Sequence, residues 1–238
     1  MKKMFVFDYD GTYYRHESEL KENIQMMEKV RKQGHLLVIA TGRSYQSFIK
    51  EIEKYNIKYD YLILASGALL LDKDDHILSA YPMDISMVKS VDKLIEPYHA
   101  RLKSQIYIDN FMNSETLSKL NQVLKMSYTF SKHSSNYDIQ SAIQDYTNNE
   151  FKAYVVVGTT VDYLEIISSK TNKCEAILDL QSQLDDKYDV VTAGDSENDV
   201  EMLIEFDGYL MPNHDPNLDD FKLRTLPSIQ AIIEKELG

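Results

Sequence analysis

Short apolar runs alternate with amphipathic segments in the first third of the chain. The runs at 4–7, 36–40 and 61–65 each end in acidic, Ser, Thr or Gly residues, as buried strands do where they open into loops. Between them, apolar residues recur every three or four positions, which predicts helices over 19–32 and around 48–55. Strands that alternate with helices of this length predict a parallel sheet with helices on its faces, and therefore an α/β domain.

A different pattern begins near Pro82 and lasts to about Glu165. In this segment, helices are predicted at 84–97 and 115–126, and strands at 104–108 and 151–157. The stretch 127–150 is polar. The mixed content of the segment is typical of a separate α+β unit.

After Glu165 the alternation of helices and strands resumes. The predicted elements are a helix at 173–184, a strand at 188–193, a helix from about 198, a strand at 207–211 and a helix at 228–237. The simplest organisation is one α/β domain formed by residues 1–81 and 166–238. Residues 82–165 are then inserted into it as a second domain.

Composition narrows the classes of function. The net charge is −12, whereas nucleic-acid and anionic-membrane surfaces need clustered Lys and Arg, so neither partner is expected. The longest apolar stretch, 62–71, is about half of a membrane span. The single cysteine, Cys174, excludes a disulfide framework and multi-cysteine metal sites. The apolar run behind Lys2 and Lys3 is too short for a signal peptide, so we expect a reduced, cytoplasmic compartment.

The residues most suited to chemistry are acidic and follow predicted strands. The glycines form neither a dinucleotide fingerprint nor a P-loop. Instead there are two acidic clusters, Asp8-x-Asp10-x-Thr12 and Gly194-Asp195-x-x-Asn198-Asp199. In a parallel sheet both clusters meet at the carboxyl edge, where open α/β sheets bind ligands. Converging carboxylates repel one another unless a cation lies among them, and this density of oxygen ligands suits Mg²⁺.

Asp8 and Asp10 project to the same side if the segment is still extended. One carboxylate can then attack a reacting centre while the other transfers a proton. Four further residues are predicted to bind an anion at this edge through positive charge, a hydroxyl or backbone N–H groups: Lys173, Arg43, Thr41 and Gly42. Together these groups are typical of phosphoryl transfer.

The order and spacing of the motifs resemble those of the haloacid dehalogenase (HAD) superfamily of phosphatases. The insertion lies between the second and third motifs, which resembles the Cof-like subfamily with a C2-type cap. This resemblance implies a Rossmann-like parallel-sheet core and an inserted α+β cap domain over residues 82–165. It also implies Mg²⁺-dependent hydrolysis of small phosphorylated metabolites, such as sugar phosphates or phosphorylated cofactors.

The resemblance further implies a role for each motif residue. Asp8 is expected to be the nucleophile that forms an aspartyl phosphate. Asp10 is expected to protonate the leaving alcohol and then to accept a proton from water. Mg²⁺ is expected to be held by Asp8, Asp195 and the main-chain carbonyl of Asp10, with Asp199 in support. The residues expected to contact the substrate are Thr12, Thr41, Gly42, Arg43, Lys173 and Asn198.

Three positions depart from the family pattern and leave the substrate open: Ser66 replaces an Asn, His214 replaces a small residue, and Tyr13 stands where an aliphatic residue is common. Arg43 equally suits a structural ion pair, and Lys170 is a nearby rival to Lys173. A phosphomutase of the same fold and a catalytically idle binding protein remain alternatives. A phosphoaspartate signalling domain is disfavoured because Asp8 ends the first strand, whereas the acceptor of such domains lies on an internal strand.

Overall fold

Two β-sheets, each built from its own part of the sequence, organise residues 2–238, which the computed structural model describes. The first sheet contains β1 (Lys3–Asp8), β2 (Leu36–Ala40), β3 (Tyr61–Leu64), β4 (Leu69–Asp72), β5 (Ile77–Ala80), β11 (Asp189–Gly194), β12 (Tyr209–Leu210) and β13 (Arg224–Thr225). Its order is β13-β12-β11-β1-β2-β3-β4-β5, and neighbouring strands are parallel from β13 to β3. The pairs β3–β4 and β4–β5 are antiparallel. The predicted parallel-sheet α/β fold is confirmed.

The second sheet is antiparallel, in the order β7-β6-β8-β10-β9. Its strands are β6 (Leu102–Ile108), β7 (Asn113–Ser114), β8 (Lys125–Ser131), β9 (Phe151–Val157) and β10 (Val161–Ser168). The helices are α1 (Glu17–Lys32), α2 (Tyr45–Tyr55), α3 (Ile85–Ile95), α4 (Asn136–Tyr146), α5 (Lys173–Gln183), α6 (Val200–Glu205) and α7 (Ile229–Leu237). Short 3₁₀ turns occur at Ala65–Gly67, Glu96–Arg101, Leu117–Lys119, Glu197–Asp199 and Pro216–Phe221. Among residues 2–238, no helix has both the length and the apolar character needed to cross a membrane.

The helices divide between the two sheets. α1, α2 and α7 pack on one face of the first sheet, and α5 and α6 pack on the other. α3 and α4 pack on the second sheet. We call the first sheet with its five helices the core, and the second sheet with α3 and α4 the cap.

Burial on both faces explains the apolar run of β1. Phe5 and Phe7 belong to the hydrophobic cluster on one side of the core sheet, whereas Met4 and Val6 belong to the cluster on the other. All four side chains are fully buried. A parallel strand that is covered on both faces has no solvent side on which to alternate, so it is apolar at every position.

The predicted helix at 115–126 is wrong. Leu117–Lys119 form only a 3₁₀ turn, and β8 begins at Lys125. The N–H of Leu124 donates to the carbonyl of Ile108 over 2.8 Å, just ahead of the pairing between β6 and β8. Pairing with a distant strand therefore sets the conformation at the end of this segment and overrides its local apolar spacing.

The polar stretch 127–150 contains most of β8 and all of α4. Alternate residues of β8, such as Tyr128 and Phe130, are buried against the cap helices, while polar residues face the other way. β10, which the sequence pattern did not identify, continues to Ser168. The expected domain boundary at residue 165 therefore falls within a strand of the cap sheet.

Candidate active site

The carboxyl ends of β1, β2 and β11 lie side by side at one edge of the core sheet. Asp8 pairs with Ala40 on β2, and Phe7 pairs with Ala193 on β11. The loops that follow these strands are therefore neighbours, at the edge where open α/β sheets bind ligands. The two acidic clusters identified in the sequence meet here.

Lys173 is buried between carboxylates of the two clusters. Its Nζ donates to Oδ1 of Asp8 and to Oδ1 of Asp199, over 2.6 Å in each case. Burial opposes the charged ammonium, but the carboxylates of Asp199 and Asp8 outweigh it and raise the pKa of Lys173. The side chain is therefore a fixed positive charge at neutral pH.

The start of α5 determines where Lys173 lies. The side chain of Asn172 caps the helix by accepting from the N–H of Glu175 over 2.7 Å. Gly67, with φ of 106°, packs against this turn, and a Cβ there would lie 2.2 Å from the carbonyl carbon of Asn172. The hydroxyl of Thr171 also donates to the carbonyl of Gly67 over 2.8 Å. Only glycine allows this approach, so Gly67 joins the loop after β3 to the residue that precedes Lys173.

Three carboxylates form a compact acidic group. Ligand oxygens of Asp8, Asp195 and Asp199 lie within 4.8 Å of one another. Within residues 2–238, Oδ2 of Asp8 is buried and has no hydrogen-bond partner. Burial, together with the charges of Asp199 and Asp195, raises the pKa of Asp8, and burial beside Asp199 raises the pKa of Asp195 to about 7. A divalent cation bound through oxygen would relieve this repulsion, so the donor set fits Mg²⁺.

Internal hydrogen bonds orient the acidic group. Thr12 is fully buried, and its hydroxyl donates to Oδ1 of Asp195 over 2.9 Å. The side chain has no exposed surface and its hydroxyl is engaged by Asp195, which does not favour the expected contact of Thr12 with the substrate. Oδ2 of Asp199 accepts from the N–H groups of Asp195 and Ser196, both over 3.0 Å, while its Oδ1 accepts from Lys173. Asp199 thus shapes the loop that carries Asp195.

Asp10 and Arg43 form a bidentate ion pair at the mouth of the site. Nε and Nη2 of Arg43 donate to the two carboxylate oxygens of Asp10, over 2.7 Å in each case. Arg43 also lies 3.3 Å from Glu51 and stacks over the ring of Tyr9. The Asp10 side chain remains 50% exposed, so this arrangement leaves its carboxylate accessible.

A cavity of about 480 Å³ lies between the acidic edge of the core and the cap. Six of the sequence-predicted site residues line it: Asp8, Asp10, Thr41, Gly42, Arg43 and Asn198. The cap contributes apolar side chains such as Ile106 and Ile108, together with the polar side chains Tyr163, Lys125 and Glu165. The cap therefore encloses the space next to Asp8.

Two charged cap residues in this interface were missed by the sequence analysis. Nζ of Lys125 lies 2.5 Å from Oε1 of Glu165, and the side chain of Lys125 is only 1% exposed. Oε2 of Glu165 accepts from Nδ2 of Asn198 over 3.1 Å, so Asn198 contacts the cap in this structure. For Glu165, the sequence does contain a signal: it is a charged residue between the apolar residues Leu164 and Ile166.

Comparison with known sequences identifies a family. The sequence profile described as haloacid dehalogenase-like hydrolase matches residues 5–147 and 112–222. A candidate phosphatase of Streptococcus pyogenes serotype M6 is 27% identical over 224 residues, which cover 84% of this chain and 83% of that protein.

Solved structures share the fold. A protein from Streptococcus mutans UA159 superposes with a TM-score of 0.80 at 18% identity, covering 100% of this chain and 99% of that one. The sucrose-phosphatase of Synechocystis sp. PCC6803, solved with sucrose and phosphate, superposes with a TM-score of 0.70 at 19% identity, covering 99% and 97%. Core and cap therefore occur together in these proteins as they do here.

Proposed function

The chain belongs to the haloacid dehalogenase-like hydrolase family, and on this basis we propose that it is a Mg²⁺-dependent phosphatase that acts through an aspartyl phosphate. It is a phosphoric monoester hydrolase; the metal, the covalent intermediate and the substrate are what we propose beyond that. The observation that carries the proposal is the environment of Asp8. One oxygen is held by Lys173, and the other is buried beside the cavity with no hydrogen-bond partner among residues 2–238.

The two carboxylates divide the chemistry. In the first step an oxygen of Asp8 attacks phosphorus, and the ester oxygen leaves with a proton from Asp10, giving an aspartyl phosphate and the free alcohol. In the second step Asp10 takes a proton from water as the water oxygen attacks phosphorus. Asp8 leaves as a carboxylate, and inorganic phosphate is released.

Asp10 needs a free carboxyl oxygen that can face the leaving group in the first step, yet Arg43 donates to both of its carboxylate oxygens. A bound phosphate group is a competing anion for the same guanidinium. We therefore propose that Arg43 binds the phosphate group when substrate is present and pairs with Asp10 when substrate is absent. This exchange frees the carboxyl group of Asp10 to face the leaving oxygen when a phosphate occupies the cavity.

The remaining residues bind and orient. Lys173 holds Asp8 in place and offsets charge on the transferring phosphoryl group, and Thr41 and Gly42 face the same space. Bound Mg²⁺, held by Asp8, Asp195 and the main-chain carbonyl of Asp10, would supply positive charge against the phosphate oxygens. Thr12 and Asp199 act on this arrangement indirectly, through their hydrogen bonds to Asp195 and its loop.

We propose that the substrates are small phosphorylated metabolites, such as sugar phosphates or phosphorylated cofactors, handled in the cytoplasm. The cavity of about 480 Å³ is of the size that holds small molecules. The likeness in fold to a sucrose-phosphatase favours sugar phosphates within this class. The cap side of the cavity is where selection among them would occur.

The test is phosphate release from a panel of phosphorylated metabolites and p-nitrophenyl phosphate, with Mg²⁺ and with a chelator. We expect metal-dependent hydrolysis that Asp8→Asn abolishes, because an amide oxygen is a poor nucleophile. Asp186→Asn is the matched control, since Asp186 is an exposed acid that pairs with Lys2. Full activity of Asp8→Asn would contradict the proposed nucleophile. Turnover that requires a sugar bisphosphate would indicate a phosphomutase instead.

A further inference from the structure

The ion pair between Lys125 and Glu165 contacts three separate loops of the core. Nζ of Lys125 donates to the carbonyl of Gly42 over 2.6 Å, in the loop after β2. Oε2 of Glu165 accepts from the hydroxyl of Ser66 over 2.5 Å, in the loop after β3. The same oxygen accepts from Asn198 in the loop after β11. The loops of Gly42 and Asn198 also line the cavity next to Asp8.

The pair itself belongs entirely to the cap. Lys125 lies on β8 and Glu165 on β10, and the strand register places Glu165 opposite Ser127 and Lys125 opposite Ile167. The two residues are thus diagonal neighbours on one face of the cap sheet, within reach of each other. Their 2.5 Å contact needs no core residue, so the pair can persist when the cap moves away.

The core is shaped to receive this pair. Because residue 42 is glycine, the pair can approach its backbone closely. A Cβ there would lie 2.7 Å from Oε1 of Glu165 and 3.2 Å from Nζ of Lys125. Ser66 has φ of 60°, a left-handed conformation that is unfavourable for a residue with a Cβ. Such conformations persist where surrounding contacts determine them, and Ser66 contacts both charges of the pair, at 2.5 Å and 3.2 Å. Ser66 is also one of the positions at which the sequence departs from the family pattern.

We propose that the Lys125–Glu165 pair is a latch whose insertion between the loops of Gly42, Ser66 and Asn198 assembles the phosphate-binding side of the site. Lys125 and Glu165 are then positioning residues, acting on the phosphate through Gly42 and Asn198. The inference rests on the proposed phosphatase function and adds to it a dependence of catalysis on cap closure. The site is therefore complete only when the cap is closed.

The physical basis is desolvation. Closing the cap removes both charges from water, which is tolerated only because each finds its opposite charge and hydrogen-bond partners. Neutralising one member leaves the other buried and uncompensated. The protein can relieve this by opening the cap, which returns the charge to water without unfolding either sheet. Single variants should therefore shift the cap toward the open state.

The test compares Lys125→Met and Glu165→Gln with Lys152→Met. Lys152 is a cap lysine whose side chain is 30% exposed and lies 3.6 Å from the carboxylate of the core residue Glu201 on α6, so it serves as the matched control. Hydrogen–deuterium exchange is measured on peptides covering 41–48, 65–70 and 195–200, without substrate. We expect exchange in these peptides to rise on the order of 10-fold or more in the two single variants, and to stay unchanged in Lys152→Met.

Kinetics with p-nitrophenyl phosphate form the second readout. Because the latch assembles the site, the single variants should lower kcat on the order of 10-fold, with a smaller effect on KM. The double variant Lys125→Met/Glu165→Gln removes both buried charges, so exchange should recover toward wild type. Its kcat should recover only in part, because the donor to the carbonyl of Gly42 is still missing. If the role of the pair were structural and unrelated to charge, exchange in the double variant would be at least as fast as in either single variant.

Wild-type exchange in both single variants would overturn the latch. A rise in KM confined to particular substrates would then assign the pair to substrate contact. The exchange experiment does not depend on turnover. A wild-type protein that hydrolyses none of the substrates would therefore reject the proposed function, while the exchange data would still test the latch. Circular dichroism and urea unfolding of each variant verify that both sheets remain folded.

Discussion

Oδ1 of Asp8 accepts a 2.6 Å hydrogen bond from Nζ of Lys173, which lies 165 positions later in the chain. The same ammonium holds Asp199 on its other side, so one buried cation serves two buried carboxylates. This contact occupies one oxygen of Asp8 and leaves the other for a ligand or a reacting atom. Lys173, and not the exposed Lys170, is the lysine that the fold brings to the acidic edge.

Lys173→Met should destabilise the fold. It leaves the carboxylates of Asp8 and Asp199 buried without their counter-charge, and breaking a buried pair in this way typically costs about 3–5 kcal/mol. Urea unfolding monitored by circular dichroism measures the change in the free energy of unfolding. Lys170→Met, three residues away on the surface, is the control and should change little. Equal stability of the two variants would mean that Lys173 is not essential to the buried network.

Asp10→Asn should slow hydrolysis most for substrates with poor leaving groups. Those alcohols need a proton as the ester bond breaks, whereas a nitrophenolate leaves without one, and general acid catalysis typically contributes about 10²–10⁴-fold. The measurement is kcat/KM for a series of phosphate monoesters whose leaving alcohols span a range of pKa values. A loss of the same size across the series would contradict the assignment of Asp10 as proton donor.

Thr12→Val should weaken Mg²⁺ binding. The variant keeps the shape of the side chain but removes the hydroxyl that donates to Asp195 over 2.9 Å. Loss of a partner that orients a metal ligand typically costs about 10–100-fold in affinity. Isothermal titration calorimetry with Mg²⁺ tests this directly, with the exposed Thr160→Val as control. Unchanged affinity would show that Asp195 does not need Thr12 for its orientation.

The loop after β12 should become less stable as pH rises. Nδ1 of His214 lies 2.6 Å from the carbonyl of Met211 and Nε2 lies 2.8 Å from Oδ1 of Asp219, and both partners only accept hydrogen bonds. The ring can donate to both only as an imidazolium. Burial opposes this charge, but the bond to Asp219 outweighs it and raises the pKa of His214 above 6.5.

The raised pKa determines the direction of the pH effect. A folded state that binds the proton more tightly gains stability that is fully present below the unfolded pKa of 6.5. This stability is lost as pH rises through the higher pKa of the folded protein. An NMR titration of the His214 ring should report the elevated value, and Asp219→Asn should lower it. A pKa at or below the unfolded value in the wild type would contradict the doubly bonded ring.

Local patterns sufficed where a residue's surroundings follow from its neighbours in sequence. The apolar run of β1 and the spacing of Leu20, Met27 and Val30 in α1 predicted the elements that the structure contains, because both reflect burial of a regular backbone. The topology of parallel strands then predicted where Asp8 and Asp195 would meet. The fold class and the family prediction are confirmed on these grounds.

Local patterns failed in the cap. The apolar residues of 115–126 have a spacing compatible with a helix, yet the N–H of Leu124 donates to the carbonyl of Ile108 and β8 begins at the next residue. The cap strands pair with partners many residues away, so the spacing of nearby residues does not decide their conformation. Strand pairing of this kind depends on contacts between residues that are too far apart in the sequence for a local pattern to include both.

The sequence by itself determined the α/β core, the inserted unit and the set of acidic and basic side chains at the strand ends, because the periodicity of burial and the direction of parallel strands follow from local chemistry. Only the tertiary structure decided that Thr12 supports Asp195, that Arg43 pairs with Asp10, and that Lys125 and Glu165 enter the site from the cap. Each of these contacts places a charge or a hydroxyl against a partner from a distant segment. Its energetic value depends on desolvation at that contact, which exists only once the chain is folded.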